Sequence, residues 1–179
     1  MALAKILVTG GVRSGKSRYA EGFLQDQPVV TYVAPGQVAD ADRDPEWAAR
    51  VAAHRSSRPE HWRTVETHDL VTVLQATDGA VLIDCLGTWL TAVVDDLGTW
   101  DVPLDQWQPQ FDVQLTGLVE AWSVAEGPVA AVSNEVGLGL VSEYRSGRIF
   151  ADLLGRTNQA IAAVSDEVVL MVAGRALKL

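Results

Sequence analysis

Residues 5–17 read KILVTGGVRSGKS. The first half is a short apolar run ending in glycine, the pattern of a strand buried on both faces. The second half meets the spacing G-x-x-x-x-G-K-[ST] through Gly10, Gly15, Lys16 and Ser17. KSRYAEGFLQ follows with Tyr19, Phe23 and Leu24 on one side of a helix. Strand, glycine-rich loop and helix in that order predict a phosphate cradle. Glycines let the backbone fold around an anion, and the loop N–H groups and helix N-terminus point at it. Lys16 is the expected contact to the β- and γ-phosphates, and the Ser17 hydroxyl the expected ligand of Mg²⁺.

Beyond this loop the pattern alternates. Apolar runs at Val29–Ala34, Ala80–Asp84, Val129–Ser133 and in DEVVLMVAG predict strands, with HWRTVE and RALKL as shorter ones. Helices are expected from Asp44-Pro45 through AARVAAHRSSRP, in DLVTVLQAT, in LGTWLTAVVDDLG and over Asp112–Ala125. Another covers SEYRSGRIFADLLGRTNQAIAAVS, with Ile149, Leu153, Ala160, Ile161 and Val164 near its apolar stripe. Thr99–Pro109 reads as a variable loop. The expectation is one domain over residues 1–179, an α/β fold of the P-loop NTPase type, RecA-like, with a mostly parallel sheet covered by helices on both faces.

Composition narrows the function classes. The formal net charge is −9, so the chain gains little from releasing counterions along a polyanion, and nucleic acid is not expected as a partner. Cys85 is the single cysteine, which excludes an internal disulfide and a cysteine-based zinc site. No apolar run approaches the ~18 residues that span a bilayer, and MALAKILVTGG lacks the apolar core of a signal peptide. The expected setting is the cytoplasm.

Other residues stand where chemistry is expected. Asp84 ends VLID, in the place from which a carboxylate supports Mg²⁺ through its waters. Asn134 and Glu135 follow another strand, on the edge where open α/β sheets bind ligands; substrate contact and turn capping are both open for them. His54 stands near a helix C-terminus with Arg55, Arg58, Arg63 and Glu66 after it. That position suits a capping or surface histidine, but the arginines make an anion-binding patch, and a neutral imidazole can attack phosphorus. His61 and His68 read as surface or locally hydrogen-bonded residues.

ILVTGGVRSGKSRYAE, AAHRSSRPEHWRTVE, LIDCLGTWLT, SNEVGLGLV and GRTNQAIAAVSDEV occur in that order. Together they resemble the bifunctional adenosylcobinamide kinase / adenosylcobinamide-phosphate guanylyltransferases of cobalamin biosynthesis, from about Lys5 to the C-terminus with a gap in the acidic, tryptophan-bearing middle. The resemblance implies two reactions. ATP or GTP phosphorylates adenosylcobinamide; GTP then gives GMP, through a guanylyl-histidine, to adenosylcobinamide phosphate, with loss of pyrophosphate. The GMP carrier of the family falls on His54. Nucleotide contacts fall on Gly10, Gly11, Val12, Arg13, Ser14, Gly15, Lys16 and Ser17, on Ala34, Pro35 and Gly36, on Arg55, Ser56, Ser57 and Arg58, and on Glu66 and Asp84. Mg²⁺ would meet Ser17 and Asp84. The family also implies a homotrimer with sites between subunits. The sequence departs from the pattern at Ala53, where some relatives carry a second histidine, at Ala92, often asparagine, and at Ser142, usually proline. A kinase without the second activity, and a GTP-binding switch without chemistry, are the competing readings.

Overall fold

The computed structural model describes residues 4–36, 45–56 and 58–179. The elements run β1 (Lys5–Gly10), α1 (Lys16–Leu24), β2 (Val30–Ala34), α2 (Pro45–Ser56), β3 (Arg63–Glu66), α3 (Leu70–Ala76) and β4 (Ala80–Asp84). They continue α4 (Leu86–Leu97), α5 (Gln108–Val124), β5 (Val129–Val132), α6 (Arg145–Ala163), β6 (Glu167–Val172) and β7 (Arg175–Lys178). The strands form one seven-stranded sheet in the order β3-β2-β4-β5-β1-β6-β7. All neighbours are parallel except β6 and β7, which form an antiparallel hairpin. Ala173 and Gly174 both have positive φ, 49° and 78°. Two such residues give the turn whose twist matches a two-residue hairpin.

The period of two along each strand sorts side chains between two cores. Leu7, Val33, Val81, Ile83, Val129 and Ala131 face a core completed by α3, α4, α5 and α6. Ile6, Val8, Tyr32, Leu82, Ala130 and Val132 face the other, closed by Ala20 and Leu24 of α1 and by Trp62. A strand buried on both faces needs apolar residues at every position, so the central strands read as unbroken runs. The exposed β7 carries no such requirement.

Two boundaries differ from the sequence expectation. Thr99–Pro109 is not a free loop: it contains a 3-10 turn, Leu104–Gln106, and α5 already begins at Gln108, with Pro109 in its first turn. Proline there forfeits no helical hydrogen bond. Trp107 is buried in the first core, and its Nε1 donates to the Val102 carbonyl at 3.2 Å. Trp100 donates to Asp95 Oδ1 at 2.5 Å. The tryptophans therefore anchor the segment. The long helix α6 starts at Arg145 rather than Ser142. Its stripe is as expected, with Ile149, Leu153 and Ile161 buried and Ala160 and Val164 packed beside them.

Candidate nucleotide site

The β1–α1 loop has the backbone its glycines permit. Gly10, Arg13 and Gly15 have φ of 147°, 56° and 97°. A side chain at Gly10 would run into the Met171 carbonyl of β6, so glycine is required there by close approach as well as by φ. The loop is tied to both neighbours: the Glu135 N–H donates to the Gly10 carbonyl at 3.0 Å, and Gly174 N–H to the Ser14 carbonyl at 2.9 Å. No side chain caps the N-terminus of α1, so the first-turn amides keep their donors for an anion. The hydroxyls of Thr9 and Ser14 are buried without a hydrogen-bond partner. Unpaired buried donors of this kind are costly unless a ligand or water meets them.

Lys16 lies inside this loop. It is 7% exposed, and its Nζ donates to the Gly11 carbonyl at 2.6 Å. Burial holds its ammonium below the ordinary lysine range, while the Asp84 carboxylate works in the opposite direction. Lys16 and Asp84 thus share one field, although β5 lies between β4 and β1, the strand that leads into the Lys16 loop. Ser17 follows in the first turn of α1, half-buried.

Asp84 ends β4 and accepts a hydrogen bond on Oδ2 from the Tyr32 hydroxyl at 2.8 Å. Burial, reinforced by the Asp84 carboxylate, pushes the Tyr32 phenol above its usual range. The Arg58 guanidinium lies 3.4 Å above the centre of the Tyr32 ring. Arg58 also donates to Thr64 Oγ1 at 3.1 Å. Burial raises the neighbouring Cys85 thiol above its usual range, which leaves it a poor nucleophile.

Ala34 and Glu66 end β2 and β3 on the same sheet edge. Ala34 pairs in register with Glu66; Pro35 is buried and Gly36 half-buried. Gly11, Val12, Arg13 and Glu66 are exposed. His54, Arg55 and Ser56 stand in the last turn of α2; their side chains, and Ser57 entirely, lie outside the described residues. Asn134 is held through its carbonyl by Asn158 Nδ2 at 3.1 Å, and Asn158 Oδ1 accepts from Ser133. Glu135 Oε1 accepts from the Gly137 N–H at 3.1 Å, a turn contact. His68 pairs with Asp96 at 2.8 Å on the surface, and His61 is exposed. Among the described residues no group of three or more His, Cys, Asp or Glu could hold a metal alone.

Sequence reasoning missed Tyr32, Thr9 and Asn158. The available signal for Tyr32 was a phenol inside a buried run, VVTYVA, since a buried hydroxyl calls for a partner.

The model of the family described as "Cobinamide kinase / cobinamide phosphate guanyltransferase" matches residues 6–179. The chain is 42% identical over 183 aligned residues to the bifunctional adenosylcobalamin biosynthesis protein CobU of Salmonella typhimurium, covering 97% of this chain and 98% of that protein. CobP of Pseudomonas aeruginosa, named for the same bifunctional role, is 37% identical over 94% of this chain and 92% of its own length. Among solved structures, an ATPase of a bacterial type III secretion system superposes with a TM-score of 0.58 at 12% identity, over 93% of this chain. The assembled ATPase EscN of enteropathogenic E. coli gives 0.56 at 12% identity, over 96% of this chain. The chain spans 50% and 43% of those two proteins. Their likeness shows the fold, a RecA-like P-loop α/β sheet.

Proposed function

The chain belongs to the cobinamide kinase / cobinamide phosphate guanyltransferase family, and from that premise we propose both transfers for it, with one nucleotide site at the β1–α1 loop. The carrying observation is the family match across residues 6–179, supported by a loop of uncapped amides around a buried lysine.

In the first transfer the acceptor hydroxyl of adenosylcobinamide attacks the γ-phosphorus of ATP or GTP, and the nucleoside diphosphate leaves. In the second, the neutral imidazole of His54 attacks the α-phosphorus of GTP, forming an N–P bond as pyrophosphate leaves. The phosphate of adenosylcobinamide phosphate then attacks the same phosphorus. The N–P bond breaks, adenosylcobinamide-GDP forms, and His54 is regenerated. The residues 10–17 N–H groups and Lys16 bind the triphosphate and take up the charge that grows on either leaving group. Ala34, Pro35, Gly36 and Glu66 at the neighbouring strand ends, with Arg55, Ser56, Ser57 and Arg58, complete the nucleotide contacts.

A hard cation fits a hydroxyl and a carboxylate, and magnesium usually takes its remaining ligands from water and phosphate. Ser17 and Asp84 would hold Mg²⁺, which supplies charge neutralisation on the leaving phosphates when bound. The reading includes a homotrimer. Its support is the exposed apolar run after β5, Leu138, Leu140, Val141 and Tyr144, a surface of the kind that marks association. No described helix is long and apolar enough to cross a membrane; a cytoplasmic setting is proposed from the nucleotide substrates.

The test is covalent labelling with GTP carrying label at the α- or the γ-position. The expected result is acid-labile α-label, lost in His54→Ala, and γ-label delivered to cobinamide. Labelling should fall as pH drops below about 6.5, where an ordinary imidazole protonates and loses its nucleophilic lone pair. Absence of α-label at every pH leaves the kinase alone, with His54 structural. Loss of both transfers leaves only nucleotide binding.

A further inference from the structure

Tyr32 lies in the middle of β2 and is 2% exposed. In the β2–β4 register it faces Leu82, and Asp84 lies two residues further along the same face. A long side chain reaches such a diagonal neighbour, and the phenol does so, ending on Asp84 Oδ2. Phenylalanine would fill the same core volume without a hydroxyl to satisfy. The hydroxyl thus serves the carboxylate.

On its other side the ring carries the Arg58 guanidinium. Arg58 follows closely after α2, the helix that bears His54. Its Nε is buried and without a hydrogen-bond partner, and among the described residues the guanidinium stacks on Tyr32 and donates to Thr64. A continuous chain of contacts therefore runs from Arg58 through Tyr32 to Asp84.

We propose that Tyr32 is a positioning residue for the reaction centre: its hydroxyl fixes Asp84 in one orientation, leaving Oδ1 for the divalent cation, and its ring seats Arg58, tying the segment after His54 to the same carboxylate. The proposal rests on the functional reading above for the roles of Asp84 and His54. It assigns to one buried side chain the placement of the Asp84 carboxylate and of the Arg58 guanidinium.

The experiment uses the full chain and Tyr32→Phe, which removes the hydroxyl and keeps the ring. Mn²⁺ binding to the enzyme with a non-hydrolysable GTP analogue is followed by electron paramagnetic resonance, a readout that needs no turnover. The expected result is Mn²⁺ affinity about tenfold weaker, the scale of one hydrogen bond to a charged group. A matching fall in kcat of both transfers is expected, with the acceptor KM within about twofold. In an Asp84→Asn background Tyr32→Phe should add nothing, because groups acting through one another are not additive. Tyr32→Leu, which removes the ring too, should lower guanylylation of His54 further than Tyr32→Phe does, at temperatures where both variants are folded.

Unchanged Mn²⁺ affinity in Tyr32→Phe overturns the proposal, as does an equal effect with and without the Asp84 carboxylate. A Tyr32→Phe protein that fails to fold reassigns the hydroxyl to stability and overturns it as well. Equal guanylylation of the Leu and Phe variants removes the Arg58 link. If the wild type transfers neither group, the functional reading fails, while the Mn²⁺ titration still decides the role of Tyr32.

Discussion

Lys16 is almost wholly buried and has a carboxylate in its field, the pairing a buried ammonium calls for. Its Nζ is held by the Gly11 carbonyl, so the charged tip already lies against the β1–α1 loop. A group placed in advance loses little freedom when the triphosphate develops charge. Lys16→Met keeps the length and removes the charge. Both transfers should fall by at least about a hundredfold, with the circular dichroism spectrum unchanged, as steady-state assays of each reaction will read. The places of Gly10, Gly15, Lys16, Ser17 and Asp84 in a turn, a helix start and a strand end were legible because each is set locally. Tyr32 was not, because its partner lies on another strand.

At the scale of elements, α3 shows a start signal that works as written. Asp69 caps it, its Oδ1 accepting from the Thr72 N–H at 3.1 Å; hydrogen bonding from the Thr72 side chain, and then from its N–H, holds the Asp69 carboxyl below its usual range. Asp69→Ala should cost about 0.5–2 kcal/mol at neutral pH, the range of N-cap deletions, measured by urea titration. The sign of the pH dependence follows from the direction of the shift. A carboxyl with a folded pKa below its unfolded value contributes stability above the unfolded value, ~3.9 for an ordinary Asp. That contribution is lost as pH falls through the folded value. The gap between wild type and variant should therefore close below about pH 4. The starts of α2 at Pro45 and α3 after Asp69 were readable in this chain. The start of α5 was read late, because Trp107 and Gln108 carry no local signal stronger than the polar residues around them.

For the whole molecule, the first core is one contiguous body that reaches from β1 to α5 and α6. Trp107 belongs to it, and Phe111, one turn on, meets Trp89 of α4 with ring centroids 6.1 Å apart. The segment before α5 is thus part of the wall that supports the helices behind β4 and Asp84. Trp107→Ala tests this. In a variable surface loop the change would stay within about 0.5 kcal/mol. In the core it should cost about 3–5 kcal/mol, a fall in melting temperature on the order of 10 °C for a domain of this size, read by calorimetry.

By itself the sequence determined the alternation of strands and helices, the phosphate loop and the sheet-edge carboxylate. Each is written in contiguous residues: unbroken apolar runs for strands buried on both faces, and fixed glycine spacing for a loop that must admit an anion. The five quoted segments, taken in order, also determined the family. Tertiary structure decided what depends on residues far apart in the chain. It set the strand order that separates β1 from β4 by β5, and it took the tryptophans before α5 into the core. It also joined Arg58, Tyr32 and Asp84. The physical reason is the same in each case. Register and packing choose partners across the sheet by shape, burial and hydrogen-bond need, and no spacing along a single chain encodes which strand will lie beside which.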